Sequence, residues 1–421
     1  MADARRSPAD GGGFAVSSAQ KQLAIEGGTP VRSTLLPYGH QQISEEEVQE
    51  VARVLRGDWI TQGPAATRFE RCMAEILGRR HAVAFSSDTA ALHGCAHAAG
   101  LEPGTEAVVP TLSFLASANA VAYCGAKPVL TDVDASTLNS TADLINSRLS
   151  SRTRAVIAVD FAGLPCVAAE IAETSRQHGL TFIQDACHAL GAQVEGKPAG
   201  ALADLAAYSF HPVKAITSGE GGLAATDDAE AAHRLRRFAT HGVEREPSRM
   251  ENFDGPWRYE MQALGYNYRI TDFQCALGIS QAGKLETFIR QRQAIARQYD
   301  AWIEDEPGIR RAQPQPPPDA DHAYHLYIVR IDMNELQATR RRVFEALRAE
   351  NIGVQVHYLP IHLHPYYRHT YGYQPGDFPD AESYYSECLS LPIYPAMTEG
   401  DLQDVITAFK KILSAYRNRP S

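Results

Sequence analysis

The chain is short of tryptophan and methionine, with three and six among 421 residues, but its other absences exclude more. No stretch is continuously apolar over 18 residues, so no membrane-crossing helix is expected. The N-terminal MADARRSPADGGG carries charge without an apolar core and is not expected to be a secretory leader. Basic charge is not in excess: 40 Lys and Arg face 50 Asp and Glu, a net −10. The acidity is spread along the chain, which argues against a bulk nucleic-acid or membrane-surface binder. The seven cysteines (Cys72, Cys95, Cys124, Cys166, Cys187, Cys275 and Cys388) are odd in number, and none falls in C-x-x-C. They read as reduced thiols of a cytoplasmic protein rather than a disulfide frame or a zinc site. There is no internal repeat. What remains is ordinary globular composition, 44% hydrophobic and 21% charged, which excludes wholesale disorder, collagen and coiled coil. At ~150 residues per domain the length implies roughly two or three domains.

Residues 1–22 are rich in Gly, Ser, Ala and charge and read as a flexible tail. From Ser44 the pattern turns helical, with Val48, Val51, Val54 and Leu55 on one face, and Ser44 with Glu47 matches a capping box. Between 66 and 240, short apolar runs (82–85, 107–110, 128–133, 155–161, 180–183, 205–210 and 222–225) alternate with amphipathic stretches such as 89–99, 167–178 and 228–239. That alternation predicts an α/β fold with a mostly parallel sheet between helices. Ligands bind such sheets beyond the carboxyl ends of the strands. The Pro-rich stretch Gln313–Asp319 marks the approach to a smaller α+β unit. There, strands are expected at 325–331 and 354–359 and helices at 335–349 and 398–414.

Three strand ends carry chemistry. TFIQDACH places Asp185 at the end of an apolar run; it is either a helix cap or a carboxylate for a cationic ligand. SFHPVK places Lys214 in a turn after the next strand, before the glycines of GEGG. A lysine there is either surface or a desolvated amine able to form a Schiff base. FSSDTAAL runs a strand directly into a helix, whose free N–H groups can cradle a phosphate. Each alone is weak. Together they supply the three things pyridoxal 5′-phosphate needs: a phosphate anchor, a carboxylate for the ring nitrogen and a lysine.

The sequence resembles the DegT/StrS-type nucleotide-sugar aminotransferases, fold-type I pyridoxal-phosphate enzymes, from about Tyr38 to the C-terminus. The likeness rests on WITQGPAATRFE, SSDTAALH, SFLASANAVAYCGAKPVLTDVD, IQDACHALGA, YSFHPVKAITSGEGG, LGYNYRITDFQCALGISQ and VHYLPIHLHPYY. It implies a large cofactor-binding domain over 23–290 and a small C-terminal domain over 291–421. Lys214 would bind the cofactor as a Schiff base and then shuttle protons. Asp185 would pair with the ring nitrogen, His188 would lie near the phenolic oxygen and Phe114 would stack on the ring. Thr89, Ser209 and the backbone at Asp88 would hold the phosphate. Asn267 would reach it from a partner subunit, which implies a homodimer with shared sites. One residue departs from the pattern: Asp88 stands where the family has Gly or another small residue. Its side chain is expected to turn away, leaving only its amide near the phosphate.

Lys214, where related dehydrases carry His, favours transamination. The wording is nearest to the branch that aminates C4 of a UDP-linked 4-keto-6-deoxy-N-acetylhexosamine in pseudaminic acid synthesis, with glutamate as donor. Neighbouring branches use dTDP- or GDP-linked keto sugars. A non-enzymatic regulator that binds the cofactor or a nucleotide sugar on the same scaffold is the alternative of another class. Trp59, Thr61, His357 and Tyr358 are candidates for the sugar site. His357, His362 and His364 lack a completing carboxylate or Cys, so no metal is expected. Strand alternation would place His362 and His364 on one face.

Overall fold

The structure is a computed structural model that describes residues 22–318 and 320–417; the expected tail at 1–22, Gln22 apart, lies outside the described residues. The main sheet has seven strands: β1 His81–Phe85, β2 Glu106–Pro110, β3 Lys127–Thr131, β4 Thr153–Val159, β5 Thr181–Asp185, β6 Leu205–Ser209 and β7 Gly222–Thr226. Their spatial order is β1-β7-β6-β5-β4-β2-β3. Only β7 runs against its neighbours; the pairings among β6, β5, β4, β2 and β3 are parallel. The strands are short apolar runs because both faces are covered: β2, β6 and β7 are buried throughout.

Thirteen α-helices are described: α1 Glu45–Leu55, α2 Pro64–Leu77, α3 Asp88–Ala98, α4 Ala116–Tyr123, α5 Ala142–Asn146, α6 Ala168–Gln177, α7 Ala229–Ala239, α8 Asp272–Ala282, α9 Leu285–Glu304, α10 Arg340–Ala349, α11 Pro365–Tyr371, α12 Pro379–Glu387 and α13 Glu399–Tyr416. The Ser44/Glu47 capping box opens α1 as expected.

A second, antiparallel sheet, β8 Ile309–Arg311, β9 Tyr327–Ile331 and β10 Cys388–Leu391, forms the smaller unit. The transition between the two cores falls inside α9. Leu285, Phe288 and Ile289 pack with the main sheet, whereas Ile295, Ala296, Tyr299, Trp302 and Ile303 pack with the small one. Leu23 and Leu36 also belong to the small core, although they lie in the stretch expected to start the large domain. The cause is the buried Glu350, whose carboxylate accepts the Ala24 and Val31 N–H groups at 2.9 Å each.

Two local expectations need correction. Residues 354–359 form no strand; only Gln355 bridges to Ser390. Side chains replace the ladder there, as where the Tyr384 hydroxyl donates to the His357 carbonyl at 2.6 Å. The helix expected from 335 begins at Arg340, where the Thr339 side chain accepts the Arg342 N–H and so sets the start.

The carboxyl ends of β1, β5 and β6 meet at the amino end of β7, where Gly222 is paired with both Phe85 and Ser209. A Cβ on Gly222 would lie 2.2 Å from the Ser87 carbonyl oxygen and 2.5 Å from the Asp88 nitrogen. Only glycine lets β7 approach the turn that starts α3. Gly222→Ala is expected to cost about 1–3 kcal/mol, read as a lower denaturant midpoint at unchanged slope.

Candidate active site

The strand ends open into one cavity of about 800 Å³, a size suited to a cofactor with its substrate. Asp88, Thr89, Phe114, Asp185, His188, Ser209, Lys214, His357 and Tyr358 all line it. Three of the expected residues do not. Asn267 is exposed and pairs with Thr240 outside the cavity. Trp59 and Thr61 are exposed in the turn between α1 and α2, where Thr61 bridges to Thr271. This turn contributes nothing to the chain's own cavity.

Asp185 ends β5 fully buried, so its carboxylate must find donors inside the protein. Ser117 on α4 donates to Oδ2 at 2.7 Å and is itself within 2.7 Å of the Ser113 hydroxyl. The Cys187 N–H makes a longer contact to Oδ1, 3.4 Å. Lys214 sits in the β6–β7 turn, its N–H bonded to the His211 carbonyl at 2.9 Å. Its Nζ lies 3.7 Å from the Sγ of Cys187, two residues past the end of β5. Across the cavity, Ser87 caps α3 by accepting the Ala90 N–H. Asp88 and Thr89 are therefore the first helical residues, whose N–H groups have no partner within the helix.

Much of the remaining wall is aromatic, with Glu220 and Gln355 also lining the cavity. His188 Nδ1 accepts the Ala162 N–H at 3.3 Å, which leaves its proton on Nε2, 3.4 Å from the Tyr358 hydroxyl. Burial first, then the charge of Lys214, holds His188 well below the ordinary imidazole range. The same two causes take His357 down to about 3. His325 lies tilted against His188, at 4.2 Å between ring centroids and 37° between planes, and is lowered in the same way, chiefly by burial. Phe114 presents an exposed ring (55%) at the mouth.

The histidine run does not converge. His362 is buried in a short 3-10 turn, with Nδ1 2.7 Å from the Thr111 hydroxyl and Nε2 2.9 Å from Glu382. His357 is bonded to Ser390 at 2.8 Å, and His364 precedes α11. Strand alternation does not apply to them. The seven cysteines are all free.

A Lys, a buried carboxylate and a helix start facing one cavity narrow the chemistry sharply, and comparison with known proteins narrows it further. Residues 41–410 match the model of the DegT/DnrJ/EryC1/StrS aminotransferase family. The chain belongs to that family. It is 37% identical to the spore coat polysaccharide biosynthesis protein SpsC of Bacillus subtilis, over 91% of this chain and 98% of that one. Among solved structures, the aminotransferase TlmJ from Streptoalloteichus hindustanus superposes with a TM-score of 0.82 at 31% identity, covering 90% of this chain and 99% of that one. Helicobacter pylori PseC, an aminotransferase involved in the biosynthesis of pseudaminic acid, gives 0.83 at 27% identity over 90% and 100%.

The protein is thus a pyridoxal-phosphate-dependent sugar aminotransferase. The donor set fits that cofactor. Free N–H groups and the Thr89 and Ser209 hydroxyls suit a phosphate, Asp185 suits a protonated ring nitrogen, and Lys214 is the amine.

Asp88 departs from expectation. Its half-buried carboxyl is turned into the cavity, with a carboxylate oxygen within 4.8 Å of both Asp185 and Cys187. Sequence reasoning missed Ser117, whose spacing of four from Ser113 at a helix start was the available signal. It missed Arg292 on α9, which carries no local signal. This buried guanidinium donates to the Ile393 carbonyl at 2.9 Å and makes longer bonds, 3.4 Å, to the carbonyls of Val213 and Lys214. It ties the lysine turn to the small unit. Ser117→Ala, which strips Asp185 of its shortest hydrogen bond, is expected to cost about 1.5–3 kcal/mol and to weaken cofactor binding, measured by equilibrium dialysis.

Proposed function

We propose that this aminotransferase moves an amino group from glutamate to a nucleotide-linked 4-keto-6-deoxy sugar, with a UDP-linked N-acetylhexosamine as the preferred acceptor. The observation that carries the reaction type is the convergence of Lys214, Asp185 and the α3 start on one cavity. The acceptor rests on the resemblance of YSFHPVK, ALGYNYRITDFQCALG and VHYLPIHLHPYY and on the likeness to PseC.

Pyridoxal phosphate, when bound, supplies an electron sink and carries the amino group between the two half-reactions. The chain's residues do the rest. Lys214 would hold the cofactor through its amine and, once free, would take and return the proton at the reacting carbon. Asp185 accepts the ring N–H, and Ser117 keeps its carboxylate oriented. Thr89, Ser209 and the Asp88 amide hold the phosphate. His188, with its proton on Nε2, would donate toward the phenolic oxygen, and the neutral histidines add no charge beside the reacting atoms. Phe114 covers the ring, while His357 and Tyr358 border the acceptor.

The working unit in this reading is a cytoplasmic homodimer. No helix among the described residues is long and apolar enough to cross a membrane. Exposed apolar side chains gather at Phe253, Trp257, Tyr259, Met261 and Leu264, next to Asn267. Thr61 is bridged to Thr271, four residues beyond Asn267, so Trp59, Thr61 and Asn267 would serve the partner's cavity.

Glutamate alone should bleach the visible absorbance of the bound cofactor, and the UDP-linked keto sugar should restore it with the highest kcat/KM of the UDP, dTDP and GDP series. Lys214→Ala should abolish both. Absence of bleaching would overturn the donor, and a higher kcat/KM for a dTDP- or GDP-linked sugar would overturn the nucleotide. Mixing inactive Lys214→Ala and Asn267→Ala proteins should regain activity if each site takes one residue from each subunit; a mixture that stays inactive while sedimenting as a dimer contradicts the shared site.

A further inference from the structure

Asp88 lines the cavity, and its side chain has no assigned task. It opens α3, beside the expected phosphate position, yet its carboxyl lies within 4.8 Å of the Asp185 carboxylate and of Cys187 Sγ. Its Oδ1 is buried and has no hydrogen-bond partner. Asp185, in contrast, receives the Ser117 hydroxyl and the Cys187 N–H. Two carboxyls this close do not both ionise readily, and the one with fewer donors keeps the proton.

We propose that Asp88 is the proton-bearing member of a carboxyl pair with Asp185, and that ionisation of Asp88 weakens cofactor binding by setting a second negative charge beside the phosphate.

The groups around Asp88 act in both directions. Burial, and next the Asp185 charge from β5, push its carboxyl up to about 8, while Lys214 from the β6–β7 turn and a hydrogen bond from Cys187 pull the other way. Cys95, on the same helix, and Cys187, after β5, are thiols held protonated, chiefly by burial. The trio Asp88, Asp185 and Cys187 has the spacing of a cation site, but a protonated thiol and a protonated carboxyl facing a lysine make a poor one. The inference rests on the cofactor and not on the choice of sugar or donor.

The sign follows from linkage. A carboxyl raised in the fold contributes stability that is complete below its unfolded value, near 4, and is lost as pH rises through about 8. The same ionisation repels the incoming phosphate. The test is the dissociation constant of pyridoxal phosphate for the full-length protein, measured by fluorescence titration without glutamate or sugar. The comparison is wild type against Asp88→Asn, which keeps the shape and removes the titration. Asp88→Gly serves if the Asn variant fails to fold. The wild-type to variant ratio should climb toward roughly tenfold per pH unit above the ionisation. In cofactor-free protein, the thermal midpoint of the variant should gain on wild type between about pH 5 and about pH 8. A ratio constant with pH overturns the proposal. Because neither readout involves turnover, that failure is separate from any failure to bleach with glutamate.

Discussion

The buried carboxylate of Asp185 is the constraint around which the site is arranged. A carboxylate at the end of a central strand, with almost no solvent, requires dedicated donors. The fold supplies them from a different element, because α4 follows β2 and projects Ser117 across to β5. The same strand ends bring Ser209 and the Lys214 turn alongside. Gly222 then allows β7 to pass within contact of the Ser87–Asp88 peptide, so the helix start comes to the same place. The proposed phosphate anchor, ring partner and amine are thus brought together by strand order as much as by residue type.

Charge is distributed economically around this centre. His188, His325 and His357 are neutral at any physiological pH because burial and the Lys214 charge oppose protonation. The wall therefore offers directional hydrogen bonds without competing with Asp185 or the phosphate. Arg292, the one guanidinium wholly inside this region, is spent on backbone carbonyls rather than on a carboxylate. Burial lowers it to about 10, which leaves it charged. It links the lysine turn with the segments around His325 and Ile393, so the small unit helps hold the Lys214 turn.

Much of this was legible in the sequence because the carrying signals are local. An apolar run followed by a polar residue marks a strand end, and three of them located Asp185, Lys214 and the α3 start. The seven strands follow the seven apolar runs closely for the same reason. What escaped depends on non-local packing. Ser117 acts on a residue 68 positions away, and Arg292 acts through carbonyls of two other segments. Residues 354–359 look β-forming, but hydrogen-bond partners from α12 and β10 take the place of a ladder. The inward turn of Asp88 is set by what surrounds it in three dimensions, which no neighbour in sequence discloses. Trp59, Thr61 and Asn267 fall on an exposed surface away from the cavity.

The central claim is that Lys214 is the amine that binds the cofactor in this cavity. It is tested most directly by reducing the holoenzyme with borohydride, digesting it and locating the pyridoxyl group by mass spectrometry. The account predicts the added mass on the peptide containing Lys214 alone. A pyridoxyl group on any other lysine, or on none in protein that has taken up the cofactor, would contradict it.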